Sequence, residues 1–241
     1  MPNSAPLDRS WLSAWIQPQH LTEDGIAGHR RGFSDHPVRL HVLHSFLVEE
    51  RAWQLSAFLR REARFQTVFG LYSKPDGVRE PAWTAADDRD RFYRMGVIAG
   101  VEDDCRLSDH VLTYLRFLQT LRDDRALALI GALTGRPVGA PWTTAHAMVS
   151  GDYLLVHNDQ VKDRQIAFVL FLAPTWPDEA GGALRLQADA QTWQVTPAYN
   201  SLALFDVTAK TSHEVGLITP AAGDLARLTI SGWFTQHAPA P

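Results

Sequence analysis

The chain has a single cysteine, Cys105. That excludes an internal disulfide framework and any multi-thiolate zinc or iron–sulfur centre. Long apolar runs are missing as well. The longest, residues 166–173, has eight residues, against roughly 20 for a membrane-spanning helix. Residues 1–9 hold no basic segment leading into an apolar stretch, so no secretory signal is expected. There is no excess of positive charge either: 23 Lys and Arg stand against 27 Asp and Glu, a formal charge of −4. Bulk attraction to nucleic acid or to an anionic membrane is therefore not the basis of function. The expectation is a protein of the reducing cytoplasm with neither a membrane nor a direct nucleic-acid partner.

What is present suffices for a folded core. Of 241 residues, 45% are hydrophobic, which allows one large domain or two small ones. Residues 10–16 (SWLSAWI) read as a short helix capped by Asp8 or Ser10, and Gly25, Gly28 and Gly32 suggest a loose connection after it. Residues 40–47 (LHVLHSFL) read as a strand. Residues 49–64 read as a helix, with Ala52, Leu55 and Leu59 on one face. Residues 73–90 hold two prolines and many charges and are expected as a long loop or lid. Ser108 caps a helix to about Leu121 with Val111, Leu115 and Leu118 on its apolar face. A second helix runs from Asp123 or Asp124 to Thr134 and is stopped by Gly135 and Pro137.

Beyond Pro141 the pattern becomes β-rich, at residues 144–149, 153–157, 165–172, 183–187, 192–195, 201–207 and 225–234. The turn formers at 174–177, 181–182, 197–200 and 220–223 separate them. Many short strands with regular punctuation indicate a sandwich, jelly roll or barrel. The expected plan is one domain: residues 1–140 mainly helical support with a first strand, and residues 141–236 a β core with the helices packed outside it.

Two features carry chemistry. In a strand at Tyr153–Leu–Leu–Val–His157, continued by Asn158–Asp159, His157 and Asp159 fall on one face with Tyr153. An imidazole and a carboxylate so placed hold a metal facially, and His213 in Thr-Ser-His-Glu-Val is a candidate third ligand. Two histidines and one carboxylate leave open positions that suit non-haem Fe(II). Against this, about one His-x-Asp is expected by chance in a chain with this many of both residues, as for any short motif. The second feature is Arg227, the one charge in the apolar strand LARLTISGWF, sharing a face with Thr229, Ser231 and Trp233. Burying a guanidinium without an anion costs several kcal/mol, of order 3–5. Either Arg227 reaches the sheet edge or a distant Asp, or a bound carboxylate sits against it with the Thr229 hydroxyl alongside. His41, His44, His110 and His146 read as structural or surface histidines. Trp142, Trp176, Trp193 and Trp233 read mostly as packing residues, with Trp176 a candidate for a substrate mouth. Arg60, Arg61 and Arg64 read as a solvated basic face.

His157-x-Asp159, then His213, then Arg227, with the surrounding LLVHNDQVKDRQIAFVLFLAPTW, GGALRL, PAYNSLALFDV, SHEV and ARLTISGWF, resembles the Fe(II)- and 2-oxoglutarate-dependent oxygenases. Within them it is most similar to the prolyl-hydroxylase branch and its ribosomal-protein prolyl 3-hydroxylases. The resemblance is dense from about Gly151 to Gln236 and weaker before it, in HVLHSFLVEERA. It implies a double-stranded β-helix, a cupin-like jelly roll buttressed by N-terminal helices, as a single-domain relative. It implies His157, Asp159 and His213 as iron ligands, and Arg227 as the partner of the distal carboxylate of 2-oxoglutarate, with Thr229 as a helper; Tyr153, on the ligand face, is a further candidate for co-substrate binding. Fe(II), 2-oxoglutarate and O₂ are the implied cofactor and co-substrates, with ascorbate as a stimulant. Hydroxylation of a prolyl residue in a protein or peptide, ribosomal protein included, is the implied reaction. A free amino acid or small metabolite is the alternative substrate, and a non-catalytic metal-binding scaffold the alternative role. Two tyrosines common in that branch are replaced, by Met148 and Phe171.

Overall fold

The computed structural model describes residues 9–105, 107–161, 163–208 and 211–236. In chain order it contains α1 (Arg9–Leu12), α2 (Glu23–Asp35), β1 (Leu40–Leu43), α3 (Glu49–Arg61), β2 (Ala63–Leu71), β3 (Lys74–Val78), α4 (Glu80–Ala85) and β4 (Arg91–Val101). These are followed by α5 (Asp109–Thr120), α6 (Asp124–Thr134), β5 (Val138–Met148), β6 (Tyr153–His157), β7 (Arg164–Phe171), β8 (Leu184–Ala188), β9 (Gln191–Val195), β10 (Ser201–Asp206), β11 (Ser212–Val215) and β12 (Arg227–Gln236).

Every strand pairing is antiparallel, in the order β1-β10-β7-β12-β5-β4-β6-β11-β8-β9, with β2 and β3 added beside β4. The order folds back on itself at β4, which bonds to both β5 and β6. This is the expected jelly roll, a nearly closed barrel of two facing sheets.

Side-chain alternation divides its larger sheet cleanly. Ile166, Phe168 and Leu170 of β7, Leu202 and Leu204 of β10, and Leu228, Ile230 and Phe234 of β12 pack against buried residues of the helices, among them Phe33, Leu55, Phe58, Phe117 and Leu129. The residues between them, Ala167, Phe171, Ala203 and Phe205, face inward onto Leu184 and Leu186 of the smaller sheet. A strand buried on both faces reads as an unbroken apolar run, which is why β7 has the longest one in the chain. Gly232 interrupts β12 because a Cβ there would lie 1.8 Å from the Trp142 carbonyl oxygen on β5.

The helix ends follow local chemistry. Ser108 accepts from the Val111 amide, Asp123 accepts from the Arg125 amide, and Gly135 closes α6 at φ 74°. On α5, Val111 is buried and Leu118 packs against the core as expected, but Leu115 is exposed, and Tyr114 and Phe117 fill the face instead.

Several expectations are overturned. The segment with Gly25, Gly28 and Gly32 is helix α2, not a loose connection. Thr22 caps it by accepting from the Gly25 amide, Glu23 and Asp24 occupy its first turn, and Phe33 is buried. Favourable termini and one buried aromatic outweigh three glycines of low helix propensity. The strand expected at 40–47 stops at Leu43, and the helix after it stops at Arg61, where β2 begins. Residues 73–90 are not a structureless lid: they form β3, a hairpin with β2, and then α4. Of the two possible caps for α1, Asp8 lies outside the described residues. Trp142 is 71% exposed and packs in no core.

Three histidines tie α2 to its surroundings. His20 Nδ1 lies 2.9 Å from His29 Nε2, and His29 Nδ1 lies 2.9 Å from His41 Nε2 on β1. His20 Nε2 reaches the backbone carbonyl of His44 at 3.0 Å. Neutral imidazoles satisfy this chain: His41 donates to His29, His29 donates to His20, and His20 donates to the His44 carbonyl; an added proton on His29 or His20 removes an acceptor. Burial, then the charges of His20 and His41, hold His29 down at about 4, and burial lowers His20 and His41 as well. Their contribution to stability is therefore complete above the ordinary histidine value near 6.5 and is lost as pH falls towards 4, because the unfolded chain binds these protons more readily. The wild type should lose several degrees of melting temperature between pH 7.5 and 5. His29→Gln should lose less over the same interval, and equal slopes for the two proteins would refute the assignment.

Candidate active site

The triad is built by one strand pair. His157 ends β6 and His213 lies directly opposite it on β11, bringing the two ring centroids to 4.2 Å. Asp159, two residues past the end of β6, turns its carboxylate towards both rings: Oδ2 is 3.1 Å from His213 Nε2 and Oδ1 is 3.9 Å from His157 Nε2. One donor atom from each residue lies within 4.8 Å of the others, and among the described residues this is the one such group of three or more His, Cys, Asp or Glu.

The triad is electrostatically ready for a cation. His157 Nδ1 lies 2.8 Å from the Leu155 carbonyl, which accepts the Nδ1–H and so leaves Nε2 with a free lone pair. Burial, then the His213 charge, push His157 down to about 4, so it is neutral at pH 7. Burial raises the Asp159 pKa, but the His213 hydrogen bond, the two imidazole charges and the Trp233 hydrogen bond prevail and bring it below the usual carboxylate value. A neutral imidazole and an ionised carboxylate are the states in which these side chains ligate metal.

Asp159 has two further partners. The Trp233 indole N–H donates to Oδ2 at 2.6 Å and Arg164 Nη1 donates to Oδ1 at 3.2 Å, while the Arg164 guanidinium stacks 3.7 Å above the Trp233 ring. The sequence pattern placed Trp233 on the Arg227 face but did not reveal this bond. The signal was its alternation with Arg227, Thr229 and Ser231; the partner lies on another strand.

The triad opens into a cavity of about 240 Å³ whose lining includes Phe92, His146, Met148, Arg227, Thr229 and Trp233. Arg227 is 3% exposed, and its Nε and Nη2 have no hydrogen-bond partner. Its Nη1 meets only the Met148 sulfur, at 3.9 Å, and its Cζ lies 5.0 Å from the Phe171 ring. Met148 and Phe171 thus both lie against the guanidinium and offer it no oxygen. The turn at Gly181–Gly182 closes this end. Gly182 adopts φ 70°, and a Cβ there would come within 3.0 Å of Arg227 Cδ.

Tyr153 is not brought to the cavity. A β-bulge between β6 and β11 pairs His213 with His157 but Val215 with Leu154, which reverses the alternation along β6. Leu154 lines the cavity with His157, and Tyr153 faces the Trp83 ring at 6.4 Å. Trp176 is not in the lining either; its indole N–H donates to the Gly181 carbonyl at 2.9 Å and so holds the loop.

Residues 143–235 match the family model of the 2OG-Fe(II) oxygenase superfamily. The chain is 42% identical over 171 residues to prolyl 3-hydroxylase sudestada1 of Drosophila melanogaster, a match covering 65% of this chain and 30% of that protein. It is 36% identical over 90 residues to prolyl 3-hydroxylase OGFOD1 of Mus musculus, covering 34% and 16%. The chain thus spans less than a third of the length of these curated relatives. The crystal structure of a Pseudomonas putida prolyl-4-hydroxylase shares the fold, with a TM-score of 0.60 at 19% identity over 88% of this chain and 100% of that one. A Trichoplax adhaerens prolyl hydroxylase, solved with a hypoxia inducible factor oxygen degradation domain peptide, gives 0.58 at 16% identity over 93% and 96%.

The triad is a donor set that suits non-haem Fe(II), and the buried guanidinium beside it has the charge that a dicarboxylate needs. Trp233→Phe tests the support of that set. It keeps the ring over which Arg164 stacks and removes the indole N–H from Asp159. Metal affinity, measured with Co(II) or Mn(II), should fall about 10- to 100-fold, as for other hydrogen-bond partners of metal ligands. Unchanged affinity would mean that Asp159 is oriented by its other neighbours.

Proposed function

We propose that the protein is an Fe(II)- and 2-oxoglutarate-dependent dioxygenase that hydroxylates a prolyl residue of a protein or peptide. One observation carries the reading: a buried, unsatisfied Arg227 shares a cavity with the triad His157, Asp159 and His213. The three side chains would hold Fe(II) on one face. Arg227 would take the distal carboxylate of 2-oxoglutarate in a fork of two hydrogen bonds, with Thr229, its neighbour on the same face of β12, alongside. The bound metal supplies the oxidation of an unactivated C–H bond at the expense of O₂ and 2-oxoglutarate, chemistry that no side chain performs.

The chain's own contribution is geometric and electrostatic. Trp233 and Arg164 hold the Asp159 carboxylate in place. The backbone carbonyl of Leu155 fixes the His157 tautomer. Apolar walls from Phe92, Leu184, Phe205 and Val215 exclude water from the space between metal and clamp.

The prolyl substrate is favoured by the two prolyl 3-hydroxylases among the relatives, and by Phe92, Tyr93 and Trp233 in the lining, flat surfaces suited to a pyrrolidine ring. A ribosomal protein is the first partner to test. A cytoplasmic site of action belongs to the same reading, since reducing conditions keep the metal as Fe(II); no helix among the described residues is long and apolar enough to cross a membrane.

The test is direct. Apoprotein purified without oxygen is given Fe(II), 2-oxoglutarate, ascorbate and O₂, and succinate is measured with prolyl peptides and with free proline. Succinate coupled to a one-oxygen mass gain on a peptide is the expected result, with ascorbate raising the yield. A mass gain on free proline alone would move the substrate to small metabolites. No succinate with any substrate would leave a metal-binding scaffold.

A further inference from the structure

The anion end of the cavity has a second unsatisfied group. His146 on β5 lies opposite Thr229 in the β5–β12 register, and Met148 lies opposite Arg227. All four line the cavity, so they form one two-by-two patch on the inward face of adjacent strands. Within it, three buried polar atoms have no hydrogen-bond partner: Arg227 Nε, Arg227 Nη2 and His146 Nδ1. Buried polar atoms are almost always paired, and three orphans in one patch of a cavity point to a ligand that completes them. Burial and the adjacent Arg227 charge, against a hydrogen bond to the Gly96 backbone, hold His146 down at about 4, so in the free protein it is neutral, with its one N–H on Gly96, and adds no second cation to the patch.

We propose that His146 is a second anchor for the distal carboxylate of the 2-oxoacid, taking up a proton with the ligand so that one ring N–H stays on the Gly96 backbone carbonyl and Nδ1–H donates to a carboxylate oxygen alongside the Arg227 fork. This rests on the proposed oxygenase reading and adds a residue to it. It also accounts for the loss of hydroxyls at Met148 and Phe171: the donor they would have provided comes from the neighbouring position on β5, two residues before Met148 and on the same face of the strand.

The experiment measures 2-oxoglutarate binding to the Mn(II)-loaded protein without oxygen, by calorimetry, for wild type, His146→Phe and His146→Asn. Phe fills the space without a donor; Asn returns an N–H near the Nδ1 position. His146→Phe should weaken 2-oxoglutarate about 10- to 100-fold, the range for losing one hydrogen bond to a charged group, with Mn(II) affinity unchanged. His146→Asn should recover most of the loss. 2-Oxobutyrate, which lacks the distal carboxylate, should bind all three proteins alike. Wild-type affinity for 2-oxoglutarate in His146→Phe overturns the assignment and leaves the oxygenase reading intact. A loss shared equally by 2-oxobutyrate overturns it too, since it would mark a general packing defect. Failure of the wild type itself to bind 2-oxoglutarate overturns both.

Discussion

Arg227→Met should raise the melting temperature of the free protein and at the same time remove 2-oxoglutarate binding. The guanidinium is buried, two of its three nitrogens have no hydrogen-bond partner, and the third meets only a thioether sulfur. Burial lowers its pKa to about 10, which still leaves it charged at pH 7. A charge in that position destabilises the free fold. Replacing buried charges by apolar residues of similar volume is often stabilising by about 1–4 kcal/mol, and for a protein of this size each kcal/mol is worth roughly 2–4 °C. The side chain is retained against that cost because a bound carboxylate repays it. Breaking such a buried pair costs about 3–5 kcal/mol, or two to three and a half orders of magnitude in Kd. Melting curves with and without 2-oxoglutarate read both effects at once. The wild type should gain stability with ligand, and the variant should start higher and gain nothing. A variant that is less stable and still responds to 2-oxoglutarate would show that the anion site lies elsewhere.

His213→Ala should abolish turnover and reduce metal binding to a weak two-ligand remnant. The ring is 7% exposed, stands 4.2 Å from the His157 centroid and 5.0 Å from that of Phe205, and approaches Asp159 Oδ2 to 3.1 Å. Its removal takes one of three donors and leaves the others 3.9 Å apart with no third direction to fix a facial site. The fold should survive, because the β6–β11–β8 ladder bonds through the backbone at this position. Metal titration, succinate release and a melting curve separate the possibilities. Turnover within tenfold of wild type in a folded variant would remove His213 from the site.

The two variants draw on different parts of the chain, and the parts differ in how far they could be read in advance. The strands β6, β7, β8, β9, β10 and β12 were legible from period-two runs and turn formers, and α5 and α6 from Ser108, Asp123 and Gly135. Strands β2 and β4 were not. In β4 the sequence RFYRMGVIAGV carries two arginines and two glycines that blur the alternation. Gly96 is there because β5 passes so close that a Cβ would lie 2.2 Å from the Ala147 oxygen, a constraint that exists only when the partner strand is in place. His146 was read as structural for the same reason: nothing local to β5 says that Arg227 lies across the ladder.

On its own, the sequence determined which groups are available: a His-x-Asp at a strand end, a later histidine, and one arginine in a strand too apolar to solvate it. These follow from residue type and near-neighbour spacing, which the chain carries whatever its fold. The tertiary structure decided who meets whom. A bulge opposite Val215 turned Leu154 rather than Tyr153 into the cavity, the β7–β12 pairing set Arg164 and Trp233 against Asp159, and the β5–β12 register put His146 beside Thr229. Register and bulges arise from pairing between distant segments, so no window along the chain contains them.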